Sequence, residues 1–142
     1  IPDNSYINAL KMAAATGIEV HLMIPCKPDH PFVYWATFAN AAQLLESGVH
    51  IYTYENGFLH SKVCLIDDEV VSVGSANMDY RSFELNFEVN AFVYDKEIAK
   101  KIKQAYKEDI EKSKELTVES YRNRSLTIKI KEDLAKLISP IL

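Results

Sequence analysis

The sequence is short of several things, and each shortage removes a class of protein. Two cysteines in 142 residues are too few for a disulfide framework. Cys26 and Cys64 also lack metal-ligand spacing, so reduced thiols in a cytosolic setting are expected. Four glycines and five prolines leave no low-complexity linker, and no internal repeat is found. No apolar run approaches the roughly 18 residues a membrane span needs, and no signal peptide is evident. Basic residues are scarce at the front: residues 1–94 hold four Lys/Arg against eleven Asp/Glu, whereas 95–142 hold twelve against nine. That acidic front argues against nucleic acid as the substrate, because backbone binding draws on clustered Lys and Arg. The basic tail reads first as a solvated helix face and second as a surface near anionic lipid.

What remains is the composition of one soluble globular domain over 1–142, 48% hydrophobic and 25% charged, long enough to bury a core. The chain opens at Ile1-Pro2 without a Met, and a piece of a longer protein is expected.

Periodicity orders the elements. Asp3-Asn4-Ser5 offers a cap for a helix with Ile7, Leu10 and Ala14 on one face, stopped by Gly17. Residues 18–24 read as a strand, 25–31 as a proline-punctuated loop, 32–46 as a helix closed by Gly48, and 49–54 as a strand. Further strands are predicted at about 60–66, 70–75 and 86–94, with a short helix or turn over 78–84. Asp95 caps a long helix carrying Ile98, Ile102, Ala105 and Ile110 near one face. Leu126, Ile128 and Ile130 alternate like a strand, and Leu134, Leu137, Ile138 and Ile141 follow helical spacing. The class is α/β with a mostly mixed sheet, a catalytic core over 1–94 and a mainly helical tail over 95–142.

The chemistry concentrates between His60 and Asn90. On a strand, His60 and Lys62 share a face, and Ser75 and Asn77 share a face of the next strand and its exit. An imidazole, an ammonium, a hydroxyl and an amide brought together suit a phosphodiester. Imidazole attacks phosphorus or protonates a leaving oxygen, and the other three hold the anionic oxygens. Gly74 permits close backbone approach beside the phosphate. In 86–94 the apolar residues are expected to be buried, with Glu88 on the polar face, either orienting an imidazole or pairing plainly with Arg81. Asp67, Asp68 and Glu69 read as a turn between strands. His30, Tyr34 and Trp35 are either a substrate loop or the packing of a loop against a helix. A divalent metal is not expected, because Lys62 would repel it beside His60 and Glu88.

The pattern His60-x-Lys62-(x)4-Asp67-(x)6-Gly74-Ser75-x-Asn77 resembles the HKD motif of the phospholipase D superfamily. Its chance occurrence in a chain of this length is on the order of one in a million. The stretches 27–36, 54–58, 81–91 and 137–142 are similar to bacterial cardiolipin synthases, and 112–130 match least. The resemblance implies a phospholipase D-like mixed β-sheet flanked by helices, forming the C-terminal HKD half of a two-motif enzyme. It also implies a phosphate pocket of His60, Lys62, Ser75 and Asn77, with Asp67 organising the site and Glu88 paired with a catalytic imidazole.

By the same resemblance, the reaction is phosphatidyl transfer between two phosphatidylglycerol molecules through a phosphohistidine, without a cofactor. His60 then serves as general acid and base, because the first motif commonly supplies the nucleophile. The implied partners are the phospholipid, the membrane surface on its cytoplasmic side, and an N-terminal HKD half absent from this chain, since no second His-x-Lys occurs. A second copy of the chain is the substitute partner. Two other classes compete: a single-motif homodimeric phosphodiesterase or nuclease, which a nuclease assay would reveal, and a non-catalytic interaction domain.

Overall fold

The computed structural model describes residues 3–27 and 31–138. Helix α1 (Asn4–Ala15) starts where Asp3 accepts the Ser5 and Tyr6 amides at 2.8 and 3.3 Å, satisfying donors that have no partner within the helix. It stops at Gly17, whose φ of 89° is left-handed. There the Ile18 amide reaches the Ala13 carbonyl at 3.1 Å and the Gly17 amide reaches Ala14 at 3.0 Å, a Schellman motif. Helix α2 (Pro31–Glu46) ends the same way at Gly48, with Val49 bonded to the Leu44 carbonyl at 3.1 Å. Each glycine thus turns a helix into a strand: β1 (His21–Pro25) and β2 (His50–Tyr54).

β1 and β2 pair in parallel from His21↔His50 to Pro25↔Tyr54. Later in the chain, β6 (Ser113–Leu116) adds antiparallel to the other edge of β2. Alternation along β2 buries Ile51 and Thr53. Ile51 joins Ile7, Ile24, Phe38, Ala41, Leu44 and Val49 in one cluster, so α1 and α2 close one face of this mixed sheet.

A second, antiparallel sheet holds β3 (Val63–Ile66), β4 (Val70–Gly74) and β5 (Asn90–Tyr94) in that order. The β3–β4 turn puts both Asp67 (φ 51°) and Asp68 (φ 56°) in the left-handed region, with the Glu69 amide on the Ile66 carbonyl at 3.1 Å. Two left-handed centres match the twist of a tight hairpin, and Asp tolerates that conformation better than bulkier residues. Helix α3 (Lys96–Ile110), N-capped by Asp95, contacts β2, β3, β4 and β6 and so links the two sheets. Lys103 pairs with Asp68, and Lys96 pairs with Glu69 at 2.6 Å, pinning the hairpin turn to the helix. Short α4 (Val118–Arg122) and α5 (Leu126–Ile138) pack on α2. There Glu132, 2% exposed, accepts from Arg124 Nη2 at 2.7 Å.

The α/β class with helices flanking sheets holds, and several details differ from the expectation. The strands form two sheets instead of one. The strand predicted at 60–66 begins only at Val63, and the one predicted at 86–94 only at Asn90. Residues 126–130 are helical, since Ile128 and Lys129 bond back to the Ser125 carbonyl. β6 was not foreseen: Ser113-Lys-Glu-Leu116 has a single apolar residue, and charges of this kind mark edge strands. On α3, Ala99 is buried, whereas Ile98 and Ala105 are exposed. The apolar face therefore centres on Ala99 and the half-buried Ile102 and Tyr106. Among the described residues no helix is long and apolar enough to cross a membrane.

Candidate active site

The site lies at the end of the second sheet away from the Asp67–Asp68 turn. Here the β3–β4 ladder runs one step past the strand ends, with the Gly74 amide on the Lys62 carbonyl at 3.3 Å. Beyond Gly74 the pairing of β4 with β5 changes character. The Ser75 amide bonds to the Val89 carbonyl at 3.0 Å, but the Val89 amide is taken by Ser75 Oγ, also at 3.0 Å. That hydroxyl in turn donates to Glu88 Oε2 at 2.5 Å. A side chain has replaced a backbone acceptor in the ladder, and the substitution delivers the Ser75 hydroxyl to the Glu88 carboxylate.

Glu88 is the hub. Its Oε1 accepts from Ser82 Oγ at 3.0 Å and from Asn86 Nδ2 at 3.3 Å. Hydrogen bonds from Ser75, then Ser82 and Asn86, together with the Lys62 charge, hold its carboxyl below the usual carboxylate range against a smaller opposing effect of desolvation. Glu88 is therefore an anion at neutral pH, able to accept from an imidazole N–H. The alternative partner, Arg81, makes no ion pair with it among the described residues.

Lys62 Nζ donates to the His60 carbonyl at 2.8 Å, so its ammonium folds back toward its own strand. The His60 ring is exposed and stacked on Phe58, with centroids 5.4 Å apart and planes 15° from parallel. Among the described residues no hydrogen bond reaches that ring, which leaves both nitrogens open to a phosphorus centre or a leaving oxygen. Asn77 offers an exposed side chain, and its amide is held by Ser82 Oγ at 3.1 Å.

The structure thus brings Lys62, Ser75 and Glu88 together, with His60 and Asn77 at the margin of the same cluster. Asp67 is not brought there. It occupies the hairpin turn at the far end of β3, where its left-handed φ of 51° gives it a turn-forming role. Gly74 has a packing role of its own. A Cβ on it would lie 2.6 Å from Asn90 Cα and closer still to the Val89 carbonyl oxygen, so the close approach it permits is to β5. The apolar residues of 86–94 were expected to be buried, yet Phe87 and Val89 stand fully or largely exposed. His30 lies outside the described residues, as does the side chain of Tyr34. Trp35 is half-buried on α2 with the Lys131 ammonium of α5 5.3 Å from its ring centre, which is a packing position between helices and not a loop.

Reading the sequence missed Ser82, Asn86 and Asn90. Ser82 sits in a π-helical turn (Arg81–Leu85), with its amide on Asp79 Oδ1 at 2.8 Å. Asn90 ties β5 to β4, donating to Ser72 Oγ and accepting the Ala76 amide, both at 3.2 Å. Asn86 and Asn90 alternate with Glu88 along the predicted strand, but alternation does not say which of them hydrogen-bond, and Ser82 lies in the π-helical turn with no periodic signal. The only available signal for Ser82 was its place inside the 81–91 stretch. Among the described residues no three His, Cys, Asp or Glu side chains converge so as to hold a metal ion.

Residues 1–110 match the family described as "Cardiolipin synthase, PLD-like domain". Cardiolipin synthase 1 of Staphylococcus aureus (strain COL) is 75% identical over 142 residues, which is 100% of this chain and 29% of that protein. Cardiolipin synthase 1 of Staphylococcus epidermidis (strain ATCC 12228 / FDA PCI 1200) is 74% identical over the same span. The chain thus covers less than a third of the length of these curated relatives. Among solved structures, Nuc from Salmonella typhimurium, a phospholipase D family member, superposes with a TM-score of 0.72 at 21% identity, over 82% of this chain and 76% of Nuc. At that identity the likeness speaks to the fold.

Proposed function

The chain belongs to the cardiolipin synthase PLD-like domain family, and from that premise we propose that it is the C-terminal catalytic half of a phosphatidyltransferase. The observation that carries this reading is the anionic Glu88, held by Ser75 and Ser82 beside the Lys62 charge, at the edge of a sheet that leaves His60 open. An anion-binding ammonium, an unencumbered imidazole and a fixed carboxylate are the parts that phosphodiester transfer needs.

The reaction runs in two displacements. A histidine of the other HKD motif, in the remainder of the whole protein, attacks the phosphorus of phosphatidylglycerol. The P–O bond to glycerol breaks, and His60 gives the departing glycerol oxygen its proton. His60, now neutral, removes the proton from a hydroxyl of a second phosphatidylglycerol. That oxygen attacks the phosphohistidine, the P–N bond breaks, and cardiolipin forms with configuration at phosphorus retained. Lys62, Ser75 and Asn77 hold the non-bridging oxygens through both steps, and no cofactor enters. The chain acts as a single domain whose partner is the half bearing the other motif, at the cytoplasmic surface of the cell membrane.

The test is cardiolipin formation from phosphatidylglycerol vesicles by the whole protein, its His60→Ala form, and this chain alone. Loss of a single acid–base group is expected to lower the rate by about 10²- to 10⁴-fold, and the chain alone is expected to be inert. A whole protein that makes no cardiolipin but cleaves nucleic acid would replace the lipid reading with a nuclease. Full activity of His60→Ala would remove the site assignment.

A further inference from the structure

We propose that Ser82 is a positioning residue of this reaction, one hydroxyl that sets both the Glu88 carboxylate and the Asn77 loop; this rests on the function proposed above. Ser82 is 6% exposed, while the other two donors to Glu88, Ser75 and Asn86, lie at the surface. Its hydrogen bonds have an enforced direction. The Asn77 backbone N–H can only donate, and it points at Ser82 Oγ from 3.1 Å. The single hydroxyl proton of Ser82 is then committed to Glu88 Oε1, 3.0 Å away. The Ser82 backbone is fixed as well, through its amide on Asp79 Oδ1 at 2.8 Å.

The consequence for Glu88 follows from counting acceptor positions. A carboxylate offers about four, two on each oxygen. Ser82 and Asn86 fill those of Oε1, and Ser75 fills one on Oε2. The position left open is on Oε2, so an imidazole N–H arriving at this carboxylate has one place to bind. Ser82 holds the carboxylate in the rotamer that presents it. The same hydroxyl accepts the Asn77 backbone N–H and so ties the Asn77 loop to the Glu88 carboxylate. Ser82 needs no contact with the phosphate to do this; it acts through the two residues it joins.

The experiment uses the whole protein with two substrates, phosphatidylglycerol vesicles and the soluble diester bis(p-nitrophenyl) phosphate. Ser82→Ala is expected to lower kcat about 10- to 100-fold with KM changed less than about twofold, because an interaction serving the transition state is lost. Ser82→Thr, which keeps the hydroxyl, is expected to recover most of that loss. In a Glu88→Gln background, adding Ser82→Ala is expected to cost less than about twofold more, because residues acting through one another are not additive. Fully multiplicative effects, a change confined to KM, or a loss that the threonine does not relieve would overturn the inference. If the wild type turns over the soluble diester but makes no cardiolipin, the lipid reading fails, and the same comparisons on the diester still decide the role of Ser82.

Discussion

In the β1-β2-β6 sheet, Ile24 and Ile51 lie buried under α1 and α2 within one cluster. In the β3-β4-β5 sheet, Val71 is the buried apolar side chain, and Val63, Val73, Phe92 and Tyr94 remain 40–79% exposed. Val63, Val73 and Ala91 stand opposite one another in register, so their exposure is a continuous apolar strip on one face and not scattered residues. The first sheet completes its own core; the second does not. The candidate catalytic residues all belong to the second. Contiguous exposed apolar surface is characteristic of interaction sites in general, and the half-site proposed above calls for one. The contrast teaches that the stable part of this domain and the reactive part are built on different sheets, joined by α3.

The sharpest way to break the contrast is a matched pair of truncations. Ile51→Ala is expected to lower stability by about 2–5 kcal/mol through cavity formation, whereas Val73→Ala, at a side chain 43% exposed, should cost less than about 1 kcal/mol. Chemical denaturation of both variants would measure this, and equal losses would mean that the second sheet has a core of its own. Gly74→Ala comes next, at about 1–3 kcal/mol, because the new methyl meets the β5 backbone at Val89 and Asn90. Its effect should appear in both denaturation midpoint and activity, since β5 carries Asn90 and its extension carries Glu88. At the far end of the hairpin, Asp67→Val is expected to cost about 1–2 kcal/mol by forcing a β-branched residue to a left-handed φ, while Asp67→Gly is tolerated. Retained activity of Asp67→Gly in the whole protein, once stability is matched, would separate the turn role from a catalytic one.

The smallest effect concerns pH. The Glu88 carboxyl is held below its unfolded value of about 4.3. Its contribution to stability is therefore fully present above that value and is lost as pH falls through the depressed folded one. Following the Glu88 side-chain carboxyl carbon by NMR should show a midpoint below the ordinary range, and Ser75→Ala should raise it. A midpoint unmoved by Ser75→Ala would mean that the short Ser75–Glu88 bond does not govern this group.

Much of the first sheet was legible from residues alone. Asp3 and Asp95 cap the helices they were expected to cap, and Gly17 and Gly48 stop the two helices that precede parallel strands. These signals are local, set by backbone φ and by side chains two or three residues away, and so they survive in a one-dimensional reading. β6 escaped because its place in the sheet comes from pairing with β2 across some 60 residues, as in Thr53↔Lys114, and not from its own composition. In the site, the types and spacing of His60, Lys62, Ser75, Asn77 and Glu88 could be read as phosphodiester chemistry, since strand alternation and residue type are also local.

By itself, then, the sequence determined the α/β class, the starts of α1 and α3, the stops of α1 and α2, and the motif that the family shares. Tertiary structure alone decided how the motif is used. It sent Asp67 to the turn and pressed Gly74 against β5. It also recruited the unpredicted Ser82 to grip Glu88 and left the apolar strip of the second sheet open. The physical reason is range: caps, stops and alternation act within a turn or two of chain. A carboxylate's donors and a sheet's covering layer come from wherever the folded chain returns, and that is set by contacts between residues far apart in sequence.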